Sequence, residues 1–294
     1  MRVLKKLIIC LVIVVGLIVV ASTSVYIAVR VNLGIDLFRT VGQLNTLRQT
    51  VNEEKSFPKA YKNSDIADLK SNLDNKIGNV LHYEEGKGYE GYSVDFSTLA
   101  LSSSTAKPII LSEQEVGALA EIVFYQGTNG TLMIEDKQIP TSILQIAFTD
   151  IEKETGNANL NVTVKVDITS FKNEMKGFPL NMFKGIVPNA LYVTSTVYIE
   201  KGIGLSYTVS PKYLTLNNLS SDDTFDFFHT LDVILKIGSA EDLNIKIGTT
   251  AANALIGTEQ NPGFVYTLKA MSGSGSFAFV SFESEEKQIN AFTF

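Results

Sequence analysis

Two hydrophobic rhythms run along this chain, and they begin after an uninterrupted apolar block. Leu7–Val29 (LIICLVIVVGLIVVASTSVYIAV) contains no charged residue. At a rise of ~1.5 Å per residue, a helix of that length crosses the ~30 Å bilayer core. From 31 to 54, Leu33, Leu37, Val41, Leu44 and Val51 recur at helical spacing, with Arg39, Gln43, Arg48 and Asn52 between them. That pattern predicts an amphipathic juxtamembrane helix or stalk. Its apolar stripe either packs on the following domain, or lies on the bilayer or against a partner helix. Residues 55–92 are polar and broken by Pro58 and several glycines. Within them Ser64-Asp65 starts a short helix with Ile66, Leu69, Leu73 and Ile77 inward. Tyr92–Leu101 alternates weakly, as a strand does. Leu111-Ser112-Glu113-Gln114-Glu115-Val116 is a stronger signal. Ser112 and Glu115 form a capping box, Leu111 and Val116 a hydrophobic staple, and a helix over 113–125 follows with Val116, Leu119, Ile122 and Val123 buried.

The period then changes to two. Thr131–Ile139 and Ser142–Phe148 read as a strand pair. Asn159–Thr169 alternates strictly, with Leu160, Val162, Val164, Val166 and Ile168 on one face, and Leu191–Glu200 repeats the pattern. Leu205–Val209 and Tyr213–Leu216 read as two further strands. One-sided alternation predicts an antiparallel sheet with one wet face and a helical cover on the other. Ser220–Asp223 starts a helix with Phe225, Phe228, Leu231 and Leu235 on its face. Ser239–Asp242 starts another, carrying Leu243, Ile247, Ala251 and Leu255. A hairpin around Gly238 is the alternative for 231–247. Phe264–Met271 and Ser276–Glu283 are expected to close the chain as a hairpin. The expected fold class is α+β: one N-terminal transmembrane helix, then an antiparallel β-sheet domain covered on one face by a few helices. The divisions are an anchor at 1–30, the juxtamembrane segment at 31–54 and an extracytoplasmic α+β domain at 55–294.

Charge orients the anchor. Arg2, Lys5 and Lys6 precede the apolar block, and only Arg30, Arg39 and Arg48 follow it at wide spacing. The positive-inside rule places the N-terminus in the cytoplasm and residues 31–294 outside. A cleaved signal peptide is the rival, with Ala21-Ser22-Thr23-Ser24 as its small-residue site. The apolar run continues past that point through Val25–Val29, which favours a retained anchor. Both versions export the domain. The first thirty residues hold four of the 25 basic residues and no acid, so 21 basic residues face 31 acids in the rest. A domain near −10 is a poor match for nucleic acid or anionic lipid headgroups, both of which need a basic surface. The single cysteine excludes an intrachain disulfide, and one cysteine with two histidines makes a Cys/His zinc site improbable.

Few residues carry candidate chemistry. Gly86-Lys87-Gly88-Tyr89-Glu90-Gly91 matches the dinucleotide fingerprint literally, but it precedes a strand and does not open a helix, so a loop is expected and no cofactor. His82 and His229 are general-base candidates by type alone. Asp222-Asp223 is accounted for by helix capping, and Glu283, Glu285 and Glu286 by a solvated charge run. Neither has calcium-loop spacing. Between two strands, Phe178–Pro188 has apolar residues that do not alternate. It is either a loop folded over the core or an apolar contact site for lipid, membrane or partner, carried by Phe178, Leu180, Met182 and Phe183.

An N-terminal anchor, a capped helix at Leu111–Phe124 and alternating strands with the passage Pro188–Thr194 resemble the YpmS-like group of anchored extracytoplasmic proteins of Gram-positive bacteria. The resemblance covers 110–235. It implies the extracytoplasmic location and a non-enzymatic role, and it brings no catalytic residues. Three functions are therefore expected in order. The first is a non-enzymatic binding or scaffold module at the membrane surface, with an apolar or lipid ligand held between sheet and helices. The second is an exported carboxylate-dependent hydrolase, and the third a subunit of a membrane assembly.

Overall fold

The computed structural model describes residues 27, 30–32, 34, 36–98, 109–134, 137–152, 154–169, 173, 188–235, 239–272, 279–283 and 288–293. Leu7–Val29 lies outside the described residues except for Ile27. Among the described residues no helix is long and apolar enough to cross a membrane. The order is α1 (Leu37–Leu47), α2 (Glu53–Ser56), α3 (Asn63–Ile77), β1 (Leu81–Tyr83), β2 (Tyr92–Val94), a 3-10 turn at Phe96–Thr98 and β3 (Ile109–Ser112). Then come α4 (Glu113–Thr128), β4 (Thr131–Ile134), β5 (Lys137–Thr149), β6 (Ala158–Asp167), β7 (Ala190–Lys201) and β8 (Tyr207–Leu216). The chain closes with α5 (Ser221–Leu235), α6 (Ala240–Leu255), α7 (Phe264–Ser272), β9 (Phe279–Glu283) and β10 (Gln288–Thr293). The fold is α+β, as expected.

β4 to β8 form a five-stranded antiparallel meander in sequence order. Its inner face carries Ile146, Leu160, Val162 and Val197, all excluded from solvent, and α4 and α6 lie over it. The two helices start where the sequence places them. Ser112 Oγ accepts from the Glu115 amide, and the Glu115 carboxylate accepts from the Ser112 amide. Ser239 Oγ accepts from the Asp242 amide. With α5 and α6 both helical, the hairpin alternative at 231–247 falls. α6 seats directly on β7: a Cβ at Gly248 would lie 2.2 Å from Val197 Cγ1. One turn away, the buried Ser195 hydroxyl donates to Asn244 Oδ1 at 2.7 Å.

Five expectations are corrected. First, β5 begins at Lys137 and runs through Pro140, with Lys137 paired to Ile134 of β4. Pro140 stands where β5 passes from pairing with β4 to pairing with β6. Second, β8 is one strand, not two. Pro211 faces Val197 and Tyr213 faces Thr196, so Lys212 is an extra residue in a bulge. β8 is an edge strand, where a missing amide and a bulge are tolerated. Third, the segment expected as a closing strand is α7, whose Phe264, Val265 and Leu268 point into the core at helical spacing. β9 pairs with β10 and runs parallel to β3, forming a separate three-stranded sheet. Fourth, within the described part of the stretch expected as a Tyr92–Leu101 strand, β2 ends at Val94 and a 3-10 turn follows at Phe96–Thr98.

The fifth correction concerns the outer face of the meander, which is polar but not simply wet. Thr163 and Thr194 hydroxyls meet at 2.9 Å. Thr196 donates to Asn161 Oδ1, and Asn161 Nδ2 donates to Thr149 Oγ1, joining three strands. A strap over 52–60 covers part of this face. Glu53 accepts from Lys165 Nζ at 2.7 Å and from the Tyr192 hydroxyl at 2.6 Å. Phe57 stacks on Tyr192 with centroids 5.6 Å apart, and the Lys59 amide donates to Gln145 Oε1 at 2.9 Å. Paired polar groups can be buried in this way at little cost.

The Gly248 contact yields a measurable expectation. Gly248→Ala forces a methyl group into Val197 and should lower unfolding free energy by about 1–3 kcal/mol in urea titration. Adding Val197→Ala to Gly248→Ala should recover part of that loss relative to the two single changes summed, because the second change vacates the space the first one needs.

Candidate functional site

Three residues one helical turn apart on α4 face the open edge of β5. Glu113 Oε1 accepts from the Phe148 amide at 2.8 Å, and Glu121 Oε2 accepts from the Ile143 amide at 2.5 Å. A Cβ on Gly117, midway between them, would lie 3.3 Å from Tyr61 Cδ1 and 3.6 Å from the Ile146 amide nitrogen. Neither Phe148 nor Ile143 gives that amide to β6, so the glutamates stand in for a neighbouring strand. Lys59 Nζ lies 3.5 Å from Glu113 Oε2. Glu121 is only 1% exposed. Burial pushes its carboxyl up to about 7, against the opposing pull of the Ile143 hydrogen bond. The two carboxyls stand eight residues apart, a rise of ~12 Å along the helix, and each is engaged by a backbone amide. Glycosidic carboxylate pairs lie closer, at about 5–9.5 Å.

A cluster of tyrosines adjoins Glu121. The Tyr61 hydroxyl donates to the Tyr89 hydroxyl at 2.8 Å, and the Tyr89 ring lies 5.7 Å from that of Tyr125. Tyr83 and Tyr92 pack together at 5.0 Å. Burial first, and Glu121 second, raise the Tyr61 phenol well above its ordinary range. The glycine motif is the turn of this hairpin. Gly86, Gly88 and Gly91 all have positive φ, and a Cβ on Gly88 would strike the Tyr92 carbonyl. The motif joins β1 to β2, so it presents no helix N-terminus to a pyrophosphate.

α1 belongs to the domain's own packing. Gly34 closes the preceding helical segment, its amide donating to the Arg30 carbonyl, and the Asp36 carboxylate caps α1 through the Phe38 and Arg39 amides. Arg39 ion-pairs with both Asp223 and Asp226 of α5. Gln43 donates to the Asp223 carbonyl at 3.1 Å, and Asn217 Nδ2 donates to the Leu47 carbonyl at 2.9 Å. Leu47 joins Val193, Leu214, Leu216, Leu219 and Phe227 in a second apolar cluster, with Leu44 packed against it. Val41, counted in the same apolar stripe as Leu44, faces outward. The acids of α5 draw the Arg39–Gln43 side inward and rotate Val41 away.

The other sequence-selected residues are not brought together. His82 is half-buried on β1, His229 is exposed on α5, and Asp222 is exposed in the first turn of α5. Asp223 is in the clamp just described, where the Arg39 hydrogen bond, ahead of that from Ser220, holds its carboxyl below the usual range. Glu283 ends β9; Glu285 and Glu286 lie outside the described residues. So do Phe178, Leu180, Met182 and Phe183. Among the described residues no group of three or more His, Cys, Asp or Glu converges as a metal site would require. No family model, curated protein or solved structure matches the chain. Sequence reasoning missed Glu113 and Glu121 as buried groups. Their signal was the spacing 113–117–121, which places two acids and a glycine on one helical line inside an apolar helix.

The raised carboxyl sets a pH dependence. Glu121 titrates near 7 when folded and near its ordinary 4.5 when unfolded, so folding takes up a proton between those values. Its contribution is most favourable below about pH 4.5 and declines as pH rises toward 7, by roughly 3 kcal/mol in all. Glu121→Gln keeps an oxygen for the Ile143 amide and removes the titration. Urea midpoints should show the variant gaining on the parent from pH 5 to pH 8.

Proposed function

We propose that the protein is a single-pass membrane-anchored extracytoplasmic module with a non-enzymatic binding or scaffold role at the cell surface. The observation that carries this reading is the clamp on α1. The first helix after the apolar block is fixed to the domain by Arg39, Gln43 and Leu47. An anchor joined in that way presents the domain in one orientation, which a scaffold or receptor needs and a freely diffusing hydrolase does not. The buried carboxyls of α4 are spent on backbone amides of β5, which is a structural task. The resemblance of 110–235 to YpmS-like proteins points the same way. Within this proposal an apolar partner is met at the surface of α1. Between α6 and β7 a ligand would have to displace the contact of Gly248 with Val197.

Topology is the test. Ile203 is 95% exposed in the turn between β7 and β8, and the native cysteine is Cys10. In whole cells expressing the full chain with Cys10→Ser and Ile203→Cys, a membrane-impermeant maleimide should label position 203 without lysis. Membrane pellets washed at alkaline pH should retain the labelled protein. Labelling only after lysis would place the domain in the cytoplasm and overturn the proposal.

A further inference from the structure

Four of the large apolar residues that the described part of the chain leaves exposed fall before residue 42: Ile27, Val31, Phe38 and Val41. Phe38 is 75% and Val41 56% exposed. At 100° per residue, Phe38, Val41, Gly42 and Asn45 share one side of α1, and all four are exposed. Arg39, Gln43, Leu44 and Leu47 share the other, against α5 and the sheet. The exposed side carries no charge, although α1 packs on a domain with ten more acids than bases. Arg48 is exposed just beyond its C-terminal end.

We infer that α1 is an interfacial helix that lays Phe38 and Val41 into the headgroup–acyl boundary of the leaflet from which Leu7–Val29 emerges. The inference rests on the anchor reading. Chain continuity supplies the occupant. Asp36 lies seven positions beyond Val29, so even full extension leaves the start of α1 within ~25 Å of the end of the apolar block. Helical conformation at 30–32 and the closure at Gly34 shorten that reach. Side chains held so close to the bilayer meet its interfacial layer, where an amphipathic helix buries its apolar side. A second copy of the chain is a worse occupant. Two large side chains and a glycine fall far short of the ~800 Å² per partner of a stable interface, and two acidic domains repel. The clamp then has a consequence for function. Because Arg39 ties the opposite side of the helix to Asp223 and Asp226, seating Phe38 and Val41 fixes which surface of the domain faces away from the membrane.

The sequence contains no tryptophan, so Phe38→Trp gives a unique fluorophore at a tolerant, exposed position. The full chain carrying Phe38→Trp is placed in phosphatidylcholine vesicles, with Ile203→Trp as the reference. Tryptophan at 38 should emit to the blue of that at 203. Lipid brominated near the headgroup end of its acyl chains should quench it several-fold more strongly, and aqueous iodide should quench it less. Val41→Trp should behave like Phe38→Trp. Equal iodide quenching at 38 and 203 with no response to brominated lipid would overturn the inference. So would a blue shift that grows with protein-to-lipid ratio and ignores brominated lipid, since that marks a second copy as the occupant. Flotation of the same vesicles separates the two levels. Protein that floats but shows no lipid quenching removes the interfacial helix and leaves the anchor. Protein that does not float removes both.

Discussion

The open edge of β5 is the constraint around which the domain is arranged. Amides of Ile143 and Phe148 point away from β6, and an unsatisfied amide in that buried setting costs on the order of 1–3 kcal/mol. Glu121 and Glu113 meet them from α4. A helix thereby completes a sheet edge, and its axis is fixed along the strand. The rest of that layer follows from where α4 lies. Gln126, near its C-terminal end, accepts from the Val94 amide and donates to the Val94 carbonyl, extending the same device to β2. Asn72 of α3 donates to Glu115 and to the Ile110 carbonyl, which fastens α3 to the start of α4. β3 enters α4 without a break and carries β9 beside it. The cost of this arrangement is a carboxyl buried at 121, and its displaced titration is the mark of that cost.

The second organising feature is the N-terminal strap, which has two points of attachment. α1 is clamped to α5 by charge and to the β7–β8 end of the core by Leu47. Residues 52–60 then cross the outer face by way of Tyr192, Lys165 and Gln145. The cross-strand ladder beneath, from Thr149 through Asn161 to Thr196, explains why that face is polar and yet partly shielded. Alternation along β6 says only that every second residue is polar. Whether such a face meets water or another segment depends on which chain segment returns to it, and here that segment lies about a hundred residues earlier.

What the sequence made legible was local. Ser112 with Glu115 and Ser239 with Asp242 are contacts within four residues, so their residue types suffice to place two helix starts. The inward rows of β6 and β7 follow from period two alone. The failures arose where a distant partner decided the outcome. The expected strands stopped short of Pro140 and Pro211, yet each proline lies within a continuous strand, one at a change of partner and the other beside a bulge on an edge. Phe264–Met271 carries enough β-branched and aromatic residues to pass for a strand, but burial of Phe264, Val265 and Leu268 selects the helix. Val41 matched the expected stripe of α1, and two acids on α5 turned it outward. Glu113 and Glu121 were missed because, beyond their shared helical line with Gly117, the strand edge that captures them lies in a different segment.

These features bear jointly on how an anchor would act on the fold. The segment that follows the apolar block in sequence is the one that clamps α5 and then covers the outer face. From α1, contacts reach Asp223 and Asp226 through Arg39, and Val193 and Leu214 through Leu47. Surface ion pairs are individually weak. The clamp nevertheless combines two carboxylates on one guanidinium, a glutamine bond to a backbone carbonyl, an asparagine bond to the Leu47 carbonyl and a buried leucine. Contacts that share one rigid helix are made or lost together, so the helix stays docked although no single bond would hold it. Under the proposed anchoring, orientation at the membrane and integrity of the outer sheet face would thus depend on the same thirty residues.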